Sequence, residues 1–159
     1  MRFDLDKLIN GKLWANIKVK KLNENAKLPT KGSEYAAGYD LYAAIADTIQ
    51  IQPHSTSKIG TGLSFELPEG SFAAIFARSG IATKRGLRPA NCTGICDSDY
   101  RGEYIVALHN DSDLTQIIEP GERIAQMILL PYIEMSFEEC DNLSETERNT
   151  GGFGDSGKF

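Results

Sequence analysis

Arg78-Ser79-Gly80 opens a stretch, Ser79 to Gly86, with the marks of a short helix. A helix N-terminus presents free amides and positive potential, which suits phosphate. Arg78 adds a full charge and Gly80 admits close backbone approach; the plainer reading is a capped helix with a surface arginine. A second group runs from Asn91 to Glu103, where Asp97-Ser98-Asp99-Tyr100-Arg101-Gly102 reads as a hairpin turn between strands. Its acids either shape the turn or give one carboxylate as a general base, within hydrogen-bond reach of a water. They do not continue at EF-hand spacing, which excludes a calcium loop. The third group is Arg148 to Phe159. There Gly152-x-x-x-x-Gly157-Lys158 nearly spells a P-loop, but Phe159 follows the lysine and leaves no helix to open. What survives is local. Glycine amides can wrap an anion, Arg148 can fork onto phosphate oxygens and Phe153 offers a ring face. Composition alone reads the same segment as a loose, solubilising tail. Two smaller pieces are Asp40 in Ala37-Gly38-Tyr39-Asp40-Leu41, and Gln126 within the apolar run Ile124–Leu130. A buried amide must be hydrogen-bonded, so Gln126 serves either the core or a ligand.

The elements that position these residues are mostly strands. Ile59, Leu63, Phe65 and Leu67 alternate with small or polar residues, and so do Ile133, Met135 and Phe137. Trp14 to Val19 also reads as strand. Phe72–Ala77, Tyr104–Leu108 and Ile124–Leu130 are denser runs, expected to be buried on both faces. Pro68-Glu69-Gly70, Asn110-Asp111 and Pro120-Gly121 mark turns. The pattern predicts an all-β barrel or jelly roll. Helical signals are few. Leu5, Leu8 and Ile9, closed by Asn10-Gly11, suggest a turn or two. Ser79 is the expected N-cap of the better helix, with Lys84 and Arg85 in its last turn and Gly86 at its stop.

Length and charge narrow the function. The 159 residues suit one domain with a real core. Net charge is −5, against broad binding to a nucleic-acid backbone. The longest apolar runs are six residues (Leu41–Ala46 and Phe72–Ala77), far short of the about 20 that a spanning helix needs. The N-terminal residues show no apolar signal core, so a cytoplasmic protein is expected. Three cysteines make no disulfide framework. Cys92 and Cys96, read as lying in one strand, would be about 13 Å apart, beyond bridging distance. His54 and His109 have no zinc-ligand spacing to them. From Glu134 to Glu147 there are six acids and no Lys or Arg, and four of the 15 glycines fall in the last 12 residues.

In this order, five segments resemble the five motifs of the homotrimeric dUTPase (deoxyuridine 5′-triphosphate nucleotidohydrolase) family. They are Ala37 to Leu41, Arg78-Ser79-Gly80, Gly94 to Gly102, Gly121 to Gln126, and Arg148 to Gly157. Residues 1 to about 12 lie outside the motifs. The resemblance implies an all-β subunit, a distorted jelly roll or β-barrel with one short helix, over residues 1–147. It implies a flexible C-terminal arm, 148–159, that closes a site on another subunit. The expected assembly is a homotrimer with shared active sites. The expected reaction is Mg2+-assisted hydrolysis of dUTP to dUMP and pyrophosphate, which supplies a thymidylate precursor. By the same resemblance, Asp97 activates the attacking water. Tyr100 packs under the deoxyribose, and Asn91 with Gly94 and the hairpin backbone reads uracil. Arg78, Ser79 and Gly80 bind phosphate, and Gln126 sits near the phosphates and ordered water. Asp40 lies near the metal's water shell, with no protein group ligating the metal directly. Arg148, Phe153, Gly154, Ser156 and Gly157 belong to the arm, with Phe153 stacking on uracil.

The physics fits. Magnesium keeps several waters and is held largely by substrate phosphates, so no acidic cage is required. Four positions depart from the family pattern: Ala77 for a frequent proline, Cys96 for Ile or Val, Asn149 for a frequent Gly, and Asp155 for Ser, Thr or His. Cys96 should point away from Asp97 and pack. Two other functions belong to the same scaffold: a dCTP deaminase-like or bifunctional enzyme, and a regulatory protein-binding scaffold. The first needs a deamination-site acid and a cytosine pocket, whose pattern is absent; the second has no need to keep all five motifs.

Overall fold

A computed structural model of the protein describes residues 15–152, together with the backbone of Leu8–Ile9 and Lys12–Leu13. Period-two patterning becomes a series of short strands. They are β1 (Leu8–Ile9), β2 (Lys12–Leu13), β3 (Lys18–Lys21), β4 (Thr30–Lys31), β5 (Tyr39–Tyr42), β6 (Ile49–Ile51) and β7 (Thr56–Gly60). Then follow β8 (Leu63–Glu66), β9 (Ser71–Phe76), β10 (Leu87–Pro89), β11 (Gly94–Asp97), β12 (Ile105–Asn110), β13 (Gln116–Ile118) and β14 (Arg123–Pro131). One helix, α1 (Ser79–Arg85), lies between β9 and β10.

All the strand pairings are antiparallel. The largest sheet has the order β11-β9-β14-β5-β4, and a second has β10-β12-β7. Two-stranded pairs complete the set: β3–β8, β6–β13 and β1–β2. Among the described residues these sheets stay separate and close no barrel. The chain crosses between the two larger sheets after β5. The amide of Ala43 donates to the Glu122 carbonyl, beside β14, and that of Ala44 to the Gly60 carbonyl, in β7. The core lies along this crossing. Leu41, Ile51, Ile59, Leu63, Leu87, Leu108, Ile118 and Ile124 are wholly buried there, each worth about 1.5–3 kcal/mol of transfer free energy. Asn110 is buried with them and fully satisfied. Its amide donates to the carbonyls of Ile51, Gln52 and Leu114, and its oxygen accepts from the Ser112 amide and hydroxyl.

Several local expectations need correcting. Leu8 and Ile9 form no helix; they pair with Leu13 and Lys12, while Leu5 lies outside the described residues. The N-cap of α1 is Arg78, not Ser79. Arg78 is extended (φ −81°, ψ 135°) with no side-chain cap, and Ser79 is the first helical residue. The stop is as expected, with Gly86 left-handed at φ 67°. The Asn91–Tyr100 region is not a paired hairpin. β11 pairs with β9 while β12 pairs with β10 and β7, so the Asp97–Gly102 turn links two sheets. Cys92 is not in a strand but in the preceding turn, at φ 61°. β12 buries one face only, alternating from exposed Ile105 to buried Val106. Finally, Ile133, Met135 and Phe137 form no strand. They are 86%, 73% and 89% exposed, with no strand partner among the described residues.

Candidate active site

The sheet order distributes the candidate residues over two clefts. β14 is central, with Gln126 directly opposite Asp40 of β5 on one side and Phe76 of β9 on the other. Two residues after Phe76 comes Arg78, at the head of α1. One cleft, of about 180 Å³, therefore gathers Gly38, Asp40, Arg78, Ser79, Gly80, Arg123 and Gln126.

Its polar groups are already tied together. Asp40 is buried, and its two oxygens take different arginines. Arg78 Nε donates to Oδ1 at 2.8 Å and Arg123 Nη1 to Oδ2 at 3.1 Å. Arg123 and Gln126 are three apart, which in a regular strand puts them on opposite faces. A bulge between Arg123 and Ala125 shifts the register, and bulges re-aim side chains in this way. Gln126 Nε2 donates to the Ala77 carbonyl at 2.9 Å, pinning the link between β9 and α1. Its carbonyl oxygen lies against Gly38, where a β-carbon would collide with it. At its far end α1 is held through Arg85, which donates to the Glu122 carboxylate, the Ile117 carbonyl and Gln116 Oε1. A β-carbon on Gly80, by contrast, would meet nothing within 4 Å.

The other cleft, of about 290 Å³, lies between β11 and β12. Asn91, Gly94, Asp97 and Tyr100 line it, over apolar Ile75, Val106 and Ala107. Asp97 and Ile95 share the exposed face of β11. Cys96, on the other face, packs against the core, and burial raises its thiol pKa, as expected of a packing residue. Tyr100 is 46% exposed. Its hydroxyl donates to the Glu103 carbonyl at 3.2 Å, and its ring lies over Gly102, whose missing side chain leaves room for it.

These clefts lie at opposite ends of β9. Asp97 pairs with Phe72, at the start of that strand, whereas Arg78 follows its end. Six steps of extended chain lead from Phe72 to Arg78, about 20 Å at strand rise.

A model of the dUTPase family matches residues 24–157. The chain belongs to the dUTPase family. Among its relatives, the deoxyuridine 5′-triphosphate nucleotidohydrolase of Hydrogenobaculum is 46% identical over 139 residues, 87% of this chain and 96% of that protein. The enzyme of the same name from Yarrowia lipolytica is 44% identical over 144 residues, 89% of each chain. In structure, a mutant dUTPase of Staphylococcus bacteriophage 80alpha, solved with dUpNHpp, superposes with a TM-score of 0.78 at 26% identity, over 89% of this chain and 98% of that one. A dUTPase from phage phi11 of S. aureus, which coordinates a structural Mg(II) ion, superposes with a TM-score of 0.74 at 22% identity, over 82% and 100%. The fold is thus the jelly roll of the dUTPases, and the enzyme is a dUTP diphosphatase. The relatives give no support to a deaminase.

Of the expected site residues, then, Asp40, Arg78, Ser79, Gly80 and Gln126 meet in one dUTPase cleft, and Asn91, Gly94, Asp97 and Tyr100 in the other. Arg148 is exposed, with its Nε on the Gly151 carbonyl at 2.8 Å. Asn149, at a frequent glycine position, has φ 43°, a left-handed value that asparagine tolerates better than most residues. Phe153, Gly154, Ser156 and Gly157 lie outside the described residues. Arg123 was missed by sequence reasoning. The signal was present, since it stands in the fourth motif on a strand next to that of Asp40. No helix among the described residues is long and apolar enough to cross a membrane.

Proposed function

We propose that this dUTPase completes each active site from more than one copy of the chain. The carrying observation is the separation of the two clefts. A general base must stand within about 3 Å of the proton it takes, or one water away. Asp97 and the Arg78 turn of one subunit, at opposite ends of β9, are too far apart to serve one phosphorus. The Asp97 cleft of one copy facing the Asp40–Arg78–Gln126 cleft of another removes the difficulty. The exposed apolar Ile133, Met135 and Phe137 support such an assembly, since large exposed apolar patches mark contact surfaces. A closed trimer, with each copy giving one cleft to each neighbour and its arm to a third site, uses every cleft once.

Within that site, uracil and deoxyribose occupy the apolar-floored cleft. Asn91 and the backbone around Gly94 read the base, and Tyr100 underlies the sugar. The phosphates reach the neighbouring copy's Ser79 and Gly80, where open space over Gly80 admits a close-lying oxygen. Arg78 is oriented by Asp40 and gives positive potential there. Gln126, held by Ala77, lies near the same phosphates. Asp97 takes a proton from a water as that water's oxygen attacks the α-phosphorus. The bond to the bridging oxygen breaks, and dUMP and pyrophosphate leave. The arm, residues 148–159, closes over the bound nucleotide with Arg148, Phe153, Gly154, Ser156 and Gly157, expelling water.

The donor set fits a magnesium ion carried on the substrate. Both oxygens of Asp40 are committed to arginines. Substrate phosphates would hold the ion, with Asp40 reaching it through water, and it would offset charge on the phosphates.

The test is to incubate the protein with dUTP, dCTP, dTTP and UTP in turn, with magnesium, and identify the products. Pyrophosphate and dUMP from dUTP alone is the expected result. Release of a deaminated nucleotide from dCTP, or equal turnover of UTP, contradicts the reading.

A further inference from the structure

The floor beneath Tyr100 contains an aromatic residue that the reaction as described does not use. Tyr104 is only 2% exposed and lines the same cleft. Its ring centroid is 6.1 Å from that of Tyr100, with planes inclined by 30°, and 4.4 Å from that of Phe65, inclined by 48°. The three rings form a column from the core to the cleft, at spacings where aromatic pairs attract beyond simple burial. Tyr104 is also fixed along its backbone. Its amide donates to the Leu63 carbonyl at 2.8 Å, and its carbonyl accepts from the Thr61 amide and hydroxyl at 3.1 and 2.7 Å. The neighbouring Glu103 is tied down through the Gly62 amide at 2.8 Å, and its carbonyl receives the Tyr100 hydroxyl. Tyr100 itself is half exposed and sits on a turn. Its ring is held at one end by the Glu103 carbonyl and packs against the ring of Tyr104.

We propose that Tyr104 is a positioning residue for Tyr100, a rigid aromatic support that fixes the height and tilt of the ring beneath the deoxyribose. It rests on the reading of Tyr100 as the sugar platform. A 2′-hydroxyl is rejected only if that platform cannot yield, so the support sets selectivity between deoxyribose and ribose. The ring, not the hydroxyl, does this. The Tyr104 hydroxyl is buried with only the weakly bonding Cys96 thiol beside it, and removing a buried hydroxyl that has no strong partner costs little.

The experiment compares Tyr104→Leu, Tyr104→Phe and Tyr100→Ala in the full chain with magnesium. It measures kcat and KM for dUTP and UTP, with thermal melting of each variant. Tyr104→Leu is expected to lower the dUTP-over-UTP preference in kcat/KM about tenfold, mainly through KM, and Tyr104→Phe to restore it. Should Tyr104→Leu not fold, Tyr104→Met, a flexible chain that fills irregular gaps, runs the same comparison. A folded Leu or Met variant with the original preference overturns the proposal, as does a Phe variant as impaired as Leu. Tyr100→Ala separates the two levels. Unchanged preference there removes the sugar-platform reading itself, and this proposal with it. Relaxed preference there, with none in Tyr104→Leu, removes only the support.

Discussion

The two clefts differ in how much of their chemistry the single chain finishes. Around Asp40, each candidate polar side chain of the β5, β9 and β14 ends has a partner in the same subunit: Arg78 and Arg123 on the carboxylate, Gln126 on the Ala77 carbonyl. Between β11 and β12, the carboxylate of Asp97 stands on an exposed face and Tyr100, the proposed sugar platform, is half exposed. The first region is preorganised, its side chains already held by the fold, as the proposed phosphate site requires. On the proposed reading the second is a half-site, finished only when substrate and another copy arrive. A carboxylate that must accept a proton from water gains from being left free, whereas one that must orient arginines gains from being enclosed.

The largest effect expected from this contrast is at Asp97. Asp97→Asn keeps the shape but removes the base, and turnover is expected to fall about a thousandfold while dUpNHpp still binds by calorimetry. Near-normal turnover would take Asp97 out of its role. Removing residues 148–159 comes next. Steady-state kinetics should show a loss of about a hundredfold in kcat/KM, with the assembly intact by light scattering; full activity would leave the arm as a tail. In the enclosed cleft the effect is on stability. Asp40→Asn leaves two guanidiniums facing a neutral amide. Because Arg123 is half exposed, the cost is discounted to about 2 kcal/mol, read from the urea midpoint at unchanged m-value. No shift in midpoint would mean the ion pairs contribute nothing.

Strand patterning made the fold legible, because Leu41, Ile59, Leu63 and Leu108 mark the buried faces directly. The site was legible as five short segments. Their division between two clefts was not, since it depends on β11 pairing with β9 rather than β12. That is a long-range pairing which local turn signals at Asp97–Gly102 misreport. Arg123 was obscured by the bulge, which defeats period-two reasoning. Ile133–Phe137 misled for the opposite reason. Its alternation is real, but it finds no partner edge among the described residues.

The smallest effect concerns the support under the open cleft. Burial, with the Cys96 thiol beside it, raises the Tyr104 pKa above the ordinary tyrosine value. The folded state therefore keeps this proton when the unfolded chain loses it. Stability from this group is full below pH about 10 and declines as pH rises above that value. Tyr104→Phe should flatten that alkaline decline in melting temperature, and an identical pH profile would place the tyrosine outside its buried setting.

The division of labour between copies is tested most directly by mixing two inactive variants, Asp97→Asn and Arg78→Gln, each of which spoils a different cleft. Neither turns over dUTP alone. Refolded together in equal amounts, they should regain about a quarter of the original activity, since half times half of the randomly assembled sites join an intact Asp97 to an intact Arg78. A mixture as inactive as its parents, although mixed assemblies are shown to form, would mean that each chain builds its site alone.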